Sequence, residues 1–178
     1  MKYIGDDGVG AYSIACYYMP LIFMVGNSIA QSAQPIISYN YGIGDHSRVV
    51  ATERIAVIVA IASGFIVTAL FVFLPGAMVG LFLDGDSPAI GIAKDGFPIF
   101  STAFVAFIFN ITAIGYFQSV EKVAPSIVFA LLRGMVFIIP SYLLMPCIAG
   151  TTGIWLALGV SEILTAICIV AYYLAHRK

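Results

Sequence analysis

Four polar side chains recur at helical spacing in the first long apolar stretch of the sequence. They are Asn27, Gln31, Gln34 and Ser38, and this spacing puts them on one face of a helix. Amide and hydroxyl groups cost free energy in hydrocarbon unless they meet water or a hydrogen-bonding partner, so this face should not contact lipid. The stripe favours the wall of a water-filled substrate cavity, with hydrogen bonding between neighbouring helices as the alternative.

Arg133 and Glu162 are the ionisable side chains that lie well inside apolar stretches. Helices that start at Pro125 and Gly153 would place them about 12 Å and about 13 Å from opposite edges of the hydrocarbon. In a core of about 30 Å their depths then differ by about 5 Å, so two adjacent antiparallel helices would let them meet. We therefore predict an ion pair inside the bundle. The alternative is that Arg133 extends to the membrane surface while Glu162 is protonated or hydrated.

Asn110 is a further polar group, near the middle of an apolar stretch that is rich in aromatic residues. Aromatic rings around one amide would suit a lipophilic cation through stacking and cation–π attraction. Ordinary packing explains the same rings without a ligand. Asn110 is thus a substrate-cavity candidate, and the rings are those of Phe97, Phe100, Phe104, Phe107, Phe109, Tyr116 and Phe117.

The other reactive residue types do not form an enzyme site. His46 and His176 lie outside the apolar stretches, which excludes a Ser-His dyad or a histidine metal cluster at membrane depth. The 3 cysteines are widely spaced and form no CxxC pair. The sequence has no P-loop, and its basic residues are few and scattered. We therefore predict no catalytic residue, no metal site, no cofactor and no nucleic-acid partner.

The composition indicates that the helices carrying these residues lie in a lipid bilayer. Of the 178 residues, 61% are hydrophobic and 10% are charged, against about 25% charged in soluble domains. A transmembrane helix needs about 20 mostly apolar residues. We predict an all-α, polytopic membrane helical bundle with five transmembrane helices, at 9–39, 55–83, 97–117, 125–146 and 153–175.

The residues between the spans predict turns and an orientation. Asp45 is expected to cap the second helix, and Trp155 and the Tyr172–Tyr173 pair are expected at the membrane interfaces. Lys and Arg concentrate in cytoplasmic loops, which puts the N-terminus outside and the C-terminus in the cytoplasm. The positive ends hold Arg48, Arg54, Lys122, Arg177 and Lys178, and the opposite ends hold Lys2 and Lys94 beside Asp6, Asp7, Asp84, Asp86 and Asp95.

Several short motifs resemble, in order, those of a known transporter family. A small-residue helix carries Gln34-Pro35 and Asn40-x-Gly42, followed by a basic loop at Arg48. Further matches are the segments 116–119, 131–134 and 153–157, with Lys122, Pro125, Ser161 and Glu162 in order between and after them. Over essentially the whole chain these motifs resemble the MATE (multidrug and toxic compound extrusion) family, in particular the C-terminal part of its MepA-like branch.

This resemblance implies a function and an architecture. MATE proteins have twelve helices in two six-helix lobes and export cationic drugs in exchange for H⁺ or Na⁺ by alternating access. Residues 1–178 would be a C-terminal fragment, helices eight to twelve, forming most of one lobe. The resemblance implies a bacterial plasma (inner) membrane, lipophilic cationic drugs as substrates, H⁺ or Na⁺ as coupling ion, and an N-terminal lobe and seventh helix needed for transport. Asn27, Gln31, Gln34 and Asn110 would border the central cleft.

The sequence departs from the family at its coupling residues. Relatives use an aspartate on the first helix, or a carboxylate on the seventh or tenth helix, whereas this chain has Asn110 at mid-depth and Asp95 at the outer edge. No coupling residue is assigned. Two alternatives stay open: a lipid or polysaccharide-precursor flippase of the same superfamily, which would favour a more basic cleft than Arg133 supplies, and a non-transporting membrane remnant or assembly subunit.

Overall fold

The computed structural model of the chain describes residues 5–83 and 87–176. Every regular element within these residues is helical, so the prediction of an all-α fold is confirmed. The elements are α1 (Gly5–Gly42), α2 (His46–Phe73), α3 (Pro75–Gly80), α4 (Pro88–Ser101), α5 (Phe104–Ser119), α6 (Val123–Leu131), a π-helical turn (Leu132–Val136) and α7 (Ile138–Ala175). The orientation markers Lys2, Asp84, Asp86, Arg177 and Lys178 lie outside the described residues.

Helix α5 lies at the centre of the bundle and packs against both α1 and α2. Glycines allow this close approach. A Cβ atom added to Gly115 would lie 2.7 Å from Cβ of Ala30 on α1, and one added to Gly64 on α2 would lie 2.7 Å from Cα of Val105. In a membrane no hydrophobic effect drives helices together, and small residues favour their association by letting the backbones pack closely.

Helix α2 begins immediately after Asp45, which confirms the predicted cap. The Asp45 carboxylate accepts hydrogen bonds from the Ser47 hydroxyl at 2.7 Å and from the Arg48 backbone N–H at 3.2 Å. These two bonds hold the pKa of Asp45 below its usual value, because they stabilise the charged carboxylate. The helix therefore starts well before the predicted span at residue 55.

The predicted span at 55–83 does not form one helix. Helix α2 ends at Phe73, and the short helix α3 begins at Pro75 after the single non-helical residue Leu74. The reason is Pro75, which has no N–H to donate into the preceding turn and suits the first position of a new helix.

The third apolar stretch is a bent pair of helices that starts earlier than predicted. Helix α4 begins at Pro88, and its axis meets that of α5 at 46° in the first third of the predicted span 97–117. Two hydroxyls at the bend bond back to the preceding turn: Ser101 to the Pro98 carbonyl at 2.9 Å and Thr102 to the Ile99 carbonyl at 2.7 Å. Such side-chain bonds compete with the helical ladder and bend helices.

The chain reverses direction within α7, at Gly150. This residue has φ +57° and ψ −134°, outside the helical region. A Cβ atom added to Gly153 would overlap the Met145 carbonyl, a contact that a straight helix could not make between residues so far apart. Two separate helices, 138–149 and 151–175, therefore run from this turn, where the sequence predicted a break near 149–153.

Three described helical stretches are long and apolar enough to cross a membrane: α1, α2 and the continuous Val123–Ala175. The bent pair α4–α5 makes a fourth. A straight helix of 53 residues would be about 80 Å long, so the reversal at Gly150 must divide the last stretch into two parts, each long enough to span. The assignment of five spans stays a prediction, which these helix bounds accommodate.

The core between α1, α4 and α7 is aromatic. Phe97, Phe100 and Phe104 are almost fully buried, and Trp155 is 3% exposed, with its ring 6.2 Å from that of Phe100 and close against Gly96. Trp155 therefore packs inside the bundle, where Gly96 leaves room for its indole, and its position at a membrane interface stays a prediction. Large apolar side chains cover the outside of the bundle instead, as expected where lipid is the solvent.

Candidate functional site

A cavity of about 570 Å³ opens between α1, α5, the π-helical turn and α7. Asn27, Gln31 and Gln34 line it, together with apolar and aromatic side chains. The two glutamines are exposed, and Asn27 is partly buried. These residues can offer hydrogen bonds to a bound molecule while the surrounding apolar surface contacts its body.

Ser38, the fourth member of the stripe, does not line this cavity. Its hydroxyl donates to the backbone carbonyl of Ser119 at 3.1 Å, which joins α1 to α5. The two interpretations of the stripe thus apply to different parts of it. Three of its residues line a cavity, whereas Ser38 makes a hydrogen bond between helices.

Asn110 is fully buried behind the cavity wall rather than on its surface. Its side-chain nitrogen donates to the backbone carbonyl and to the Oε2 atom of Glu162, both at 2.8 Å. Within the described residues its Oδ1 atom has no hydrogen-bond partner. Asn110 therefore fixes the position of the Glu162 carboxylate.

Arg133 and Glu162 are in direct contact. The Arg133 Nε atom lies 2.8 Å from Oε1 and 3.0 Å from Oε2 of Glu162, although the residues are 29 positions apart. The Glu162 side chain is 2% exposed and that of Arg133 is 16% exposed. The guanidinium carbon of Arg133 also lies 4.0 Å from the ring centroid of Phe107, within range of a cation–π interaction.

The π-helical turn carries Arg133 into this position. The Phe137 N–H donates to the Leu132 carbonyl at 2.9 Å, which closes a ring one residue wider than an α-helical turn. The turn lies where α6 gives way to α7, facing α5 and the second part of α7. The reversal at Gly150 then brings Glu162 back alongside it.

Tyr12 and Tyr142 also line the cavity, although neither was predicted as a site residue. Their hydroxyl groups are hydrogen-bonded to each other across the bundle. Tyr12 could have been predicted from the sequence. The polar stripe of α1 continues toward the N-terminus at helical spacing through Phe23, Met19 and Cys16, which all line the cavity, and then reaches Tyr12. Tyr142 has no such signal, since its place depends on how α7 packs.

Most of the predicted aromatic set packs in the core rather than around the cavity. Among these rings, those of Phe100 and Phe107 line it. Within the described residues no group of three or more His, Cys, Asp and Glu side chains could hold a metal ion. The arrangement is suited to binding an amphipathic molecule, with one neutral ion pair as its charged element.

Comparison with known proteins identifies the family. A family model described as MatE matches residues 1–144. The chain belongs to the MatE family. Its solved relatives are described as transporters rather than enzymes, in agreement with the prediction that the chain is not an enzyme. No curated protein matches the chain in sequence.

Solved MATE structures share the fold. An outward-facing multidrug resistance MATE family transporter of the MOP superfamily is similar with a TM-score of 0.85 and 17% identity, over 94% of this chain and 38% of that one. The MATE multidrug transporter DinF-BH, in complex with rhodamine 6G, is similar with a TM-score of 0.82 and 28% identity, over 95% of this chain and 38% of that one. The chain thus spans 38% of the length of these structures.

Proposed function

We propose that this chain forms part of the C-terminal lobe of a secondary active multidrug efflux transporter that exchanges drugs for H⁺ or Na⁺. The observation that carries the proposal is the cavity lined by Asn27, Gln31 and Gln34 in a chain of the MatE family. Lipophilic cationic drugs are the proposed substrates by the family resemblance, and the cavity is the part of their pathway that these helices contribute. Alternating access would proceed by rocking of two lobes around this cleft.

The exposed glutamines support a cleft at this face. Gln31 and Gln34 would be costly against hydrocarbon, so they favour contact with water or with another segment of protein. We propose that helices beyond these residues, corresponding to the N-terminal lobe and the seventh helix of MATE proteins, complete the pathway. In this proposal the chain supplies helices eight to twelve of the MepA-like branch.

The proposed location, a bacterial plasma (inner) membrane, follows from the family resemblance, and the charge distribution supports the proposed orientation with the C-terminus in the cytoplasm. Lys122 lines a surface groove at the end of the bundle where α2 begins, and Arg48 lies in the first turn of α2. Clusters of this kind favour the cytoplasmic side of a membrane. Lys94 lies on α4, in the part of the chain that is predicted to face outward.

The flippase alternative has less support. A lipid-linked diphosphate would favour several cations in the cleft, whereas Arg133 is the cationic residue among the described residues that line the cavity. A mostly apolar cavity with a few amides fits a drug-like body better.

Dye binding tests the cavity. We would measure fluorescence polarisation of rhodamine 6G with the purified chain in lipid nanodiscs. Replacing Gln31 and Gln34 by leucine should weaken binding by about fivefold for each hydrogen bond lost. The matched control is Ser32→Leu, an exposed position beside Gln31 that lines a separate groove. Equal loss in the control, or no loss in the glutamine variants, would count against the cavity.

A cellular assay tests the need for further helices. Cells that lack their own drug pumps should accumulate the dye to the same level with or without this chain. The same cells should accumulate less dye when the chain is joined to the seven preceding helices of a MatE relative. Export by the isolated chain would contradict the proposal that an N-terminal lobe is required.

A further inference from the structure

The Arg133 guanidinium is held on two sides and open on the third. Its Nε edge contacts Glu162, and its face lies over Phe107. Within residues 5–83 and 87–176, the hydrogen bonds of Arg133 run through Nε, and Nη1 and Nη2 make none. Arg133 lines the cavity, so this open edge is available to a molecule inside it.

The geometry of the ion pair leaves these donors free. Arginine usually meets a carboxylate through two parallel N–H groups, one to each oxygen. Here the single Nε–H is shared between both oxygens of Glu162, so the four N–H groups of Nη1 and Nη2 remain. These groups border the cavity, so they can donate to water or to an acceptor on a molecule inside it.

The carboxylate of the pair is less accessible than the cation. The Glu162 side chain is 2% exposed and its Oε2 atom is also bonded to Asn110, whereas the Arg133 side chain is 16% exposed. A molecule in the cavity therefore meets the positive member of a neutral pair. Glu162 and Asn110 act as positioning residues that hold the guanidinium in one orientation.

We propose that the cavity selects amphipathic molecules that carry an oxyanion, such as a carboxylate or a sulfonate, and that Arg133 binds this group through Nη1 and Nη2. The inference rests on the proposed function and specifies its substrate class. The paired N–H groups match the two oxygens of such an anion, and Phe23, Met19 and Ile111 supply apolar wall for the rest of the molecule. Zwitterionic drugs satisfy this requirement as well as anions do.

A matched pair of dyes tests the proposal on the full chain. Rhodamine 6G carries an ethyl ester, and its free acid carries a carboxylate on the same cationic ring system. In phosphatidylcholine nanodiscs, corrected for empty discs, we expect the free acid to bind about tenfold more tightly than the ester. Arg133→Lys should abolish this preference, because a single ammonium group retained by Glu162 leaves no fork for the anion.

The double variant Arg133→Gln with Glu162→Gln keeps the cavity neutral and leaves no buried charge unpaired. It should bind both dyes with similar affinity, close to that of the ester for the unchanged chain. Equal binding of both dyes by the unchanged chain overturns the inference, as does a carboxylate preference that survives in the double variant. Failure to bind either dye overturns the cavity itself and the inference with it.

A further measurement distinguishes the source of the anion. If phosphatidylglycerol in the nanodiscs removes the carboxylate preference and phosphatidylcholine does not, a lipid headgroup competes for Arg133. That result supports the oxyanion site and assigns it to lipid. If the preference is unchanged in both lipids, the site takes the dissolved amphiphile.

Discussion

Replacing Arg133 by glutamine should destabilise the bundle more than replacing Glu162 by glutamine. The first change leaves a carboxylate that is 2% exposed without its cation, whereas the second leaves a cation that is 16% exposed on the cavity. Charges about 4 Å apart attract by about 4 kcal/mol at an effective dielectric constant near 20. Loss of one partner of a buried pair costs about 3–5 kcal/mol.

The contacts of each residue refine these magnitudes. Glu162 keeps its bond from Asn110 when Arg133 is lost, so we expect about 3 kcal/mol for Arg133→Gln. A glutamine in place of Glu162 would still accept a hydrogen bond from Arg133, so we expect about 1–2 kcal/mol for Glu162→Gln. The double variant has no buried charge and should lie within about 1 kcal/mol of the unchanged chain, which gives a coupling free energy of about 3–5 kcal/mol.

The assay is unfolding of the purified chain in mixed micelles by added dodecyl sulfate. Trp155, the 1 tryptophan of the sequence, reports the loss of core packing through its fluorescence. Lys122→Gln, at an exposed position, is the control and should change the free energy of unfolding by less than about 0.5 kcal/mol. If the double variant is destabilised by the sum of the two single changes, the two side chains are not coupled in the fold.

Gly115→Ala should destabilise the bundle by about 1–3 kcal/mol, because the added methyl group would meet Ala30. The matched control is Gly134→Ala, whose added methyl group would have no atom within 4 Å and should leave the stability unchanged. Equal effects of the two changes in the unfolding assay would argue against this packing. Gly150→Ala should cost about 1–3 kcal/mol at a backbone conformation that other residues rarely adopt, whereas an unchanged free energy of unfolding would show that the reversal does not need it. The pKa of Asp45 is lower in the fold than its ordinary value of 3.8. The charged carboxylate therefore stabilises α2 above pH 3.8, and this stabilisation is lost as the pH falls through the lower pKa of the folded chain. Asp45→Asn should cap the helix without this pH dependence, and Asp45→Ala should speed hydrogen exchange at the first turn of α2; equal exchange in both variants would contradict the role of the cap.

The features that depend on local spacing could be predicted from the sequence. The helical repeat through Asn27, Gln31 and Gln34 is a property of α1 itself, and the same repeat reaches Tyr12. The cap at Asp45 is likewise local. Composition is a property of the whole chain, and it suffices to indicate helices in a bilayer.

The features that depend on packing could not be predicted in the same way. The burial of Trp155 depends on Gly96, which α4 brings against its ring. The hydrogen bond of Ser38 depends on which carbonyl α5 brings beside it. The open edge of Arg133 depends on which of its nitrogens meets Glu162, and no spacing in the sequence encodes that choice.

The π-helical turn at Leu132–Val136 holds one more residue than an α-helical turn of the same rise. Deleting a residue from a membrane helix ordinarily rotates everything beyond the deletion by about 100°. Here the deletion of Met135 would convert the wide turn into an ordinary one and leave the register of α7 unchanged. The turn is thus equivalent to a one-residue insertion in an α-helix. In the segment that carries Arg133, the chain can therefore gain or lose one residue while the helices on either side keep their register.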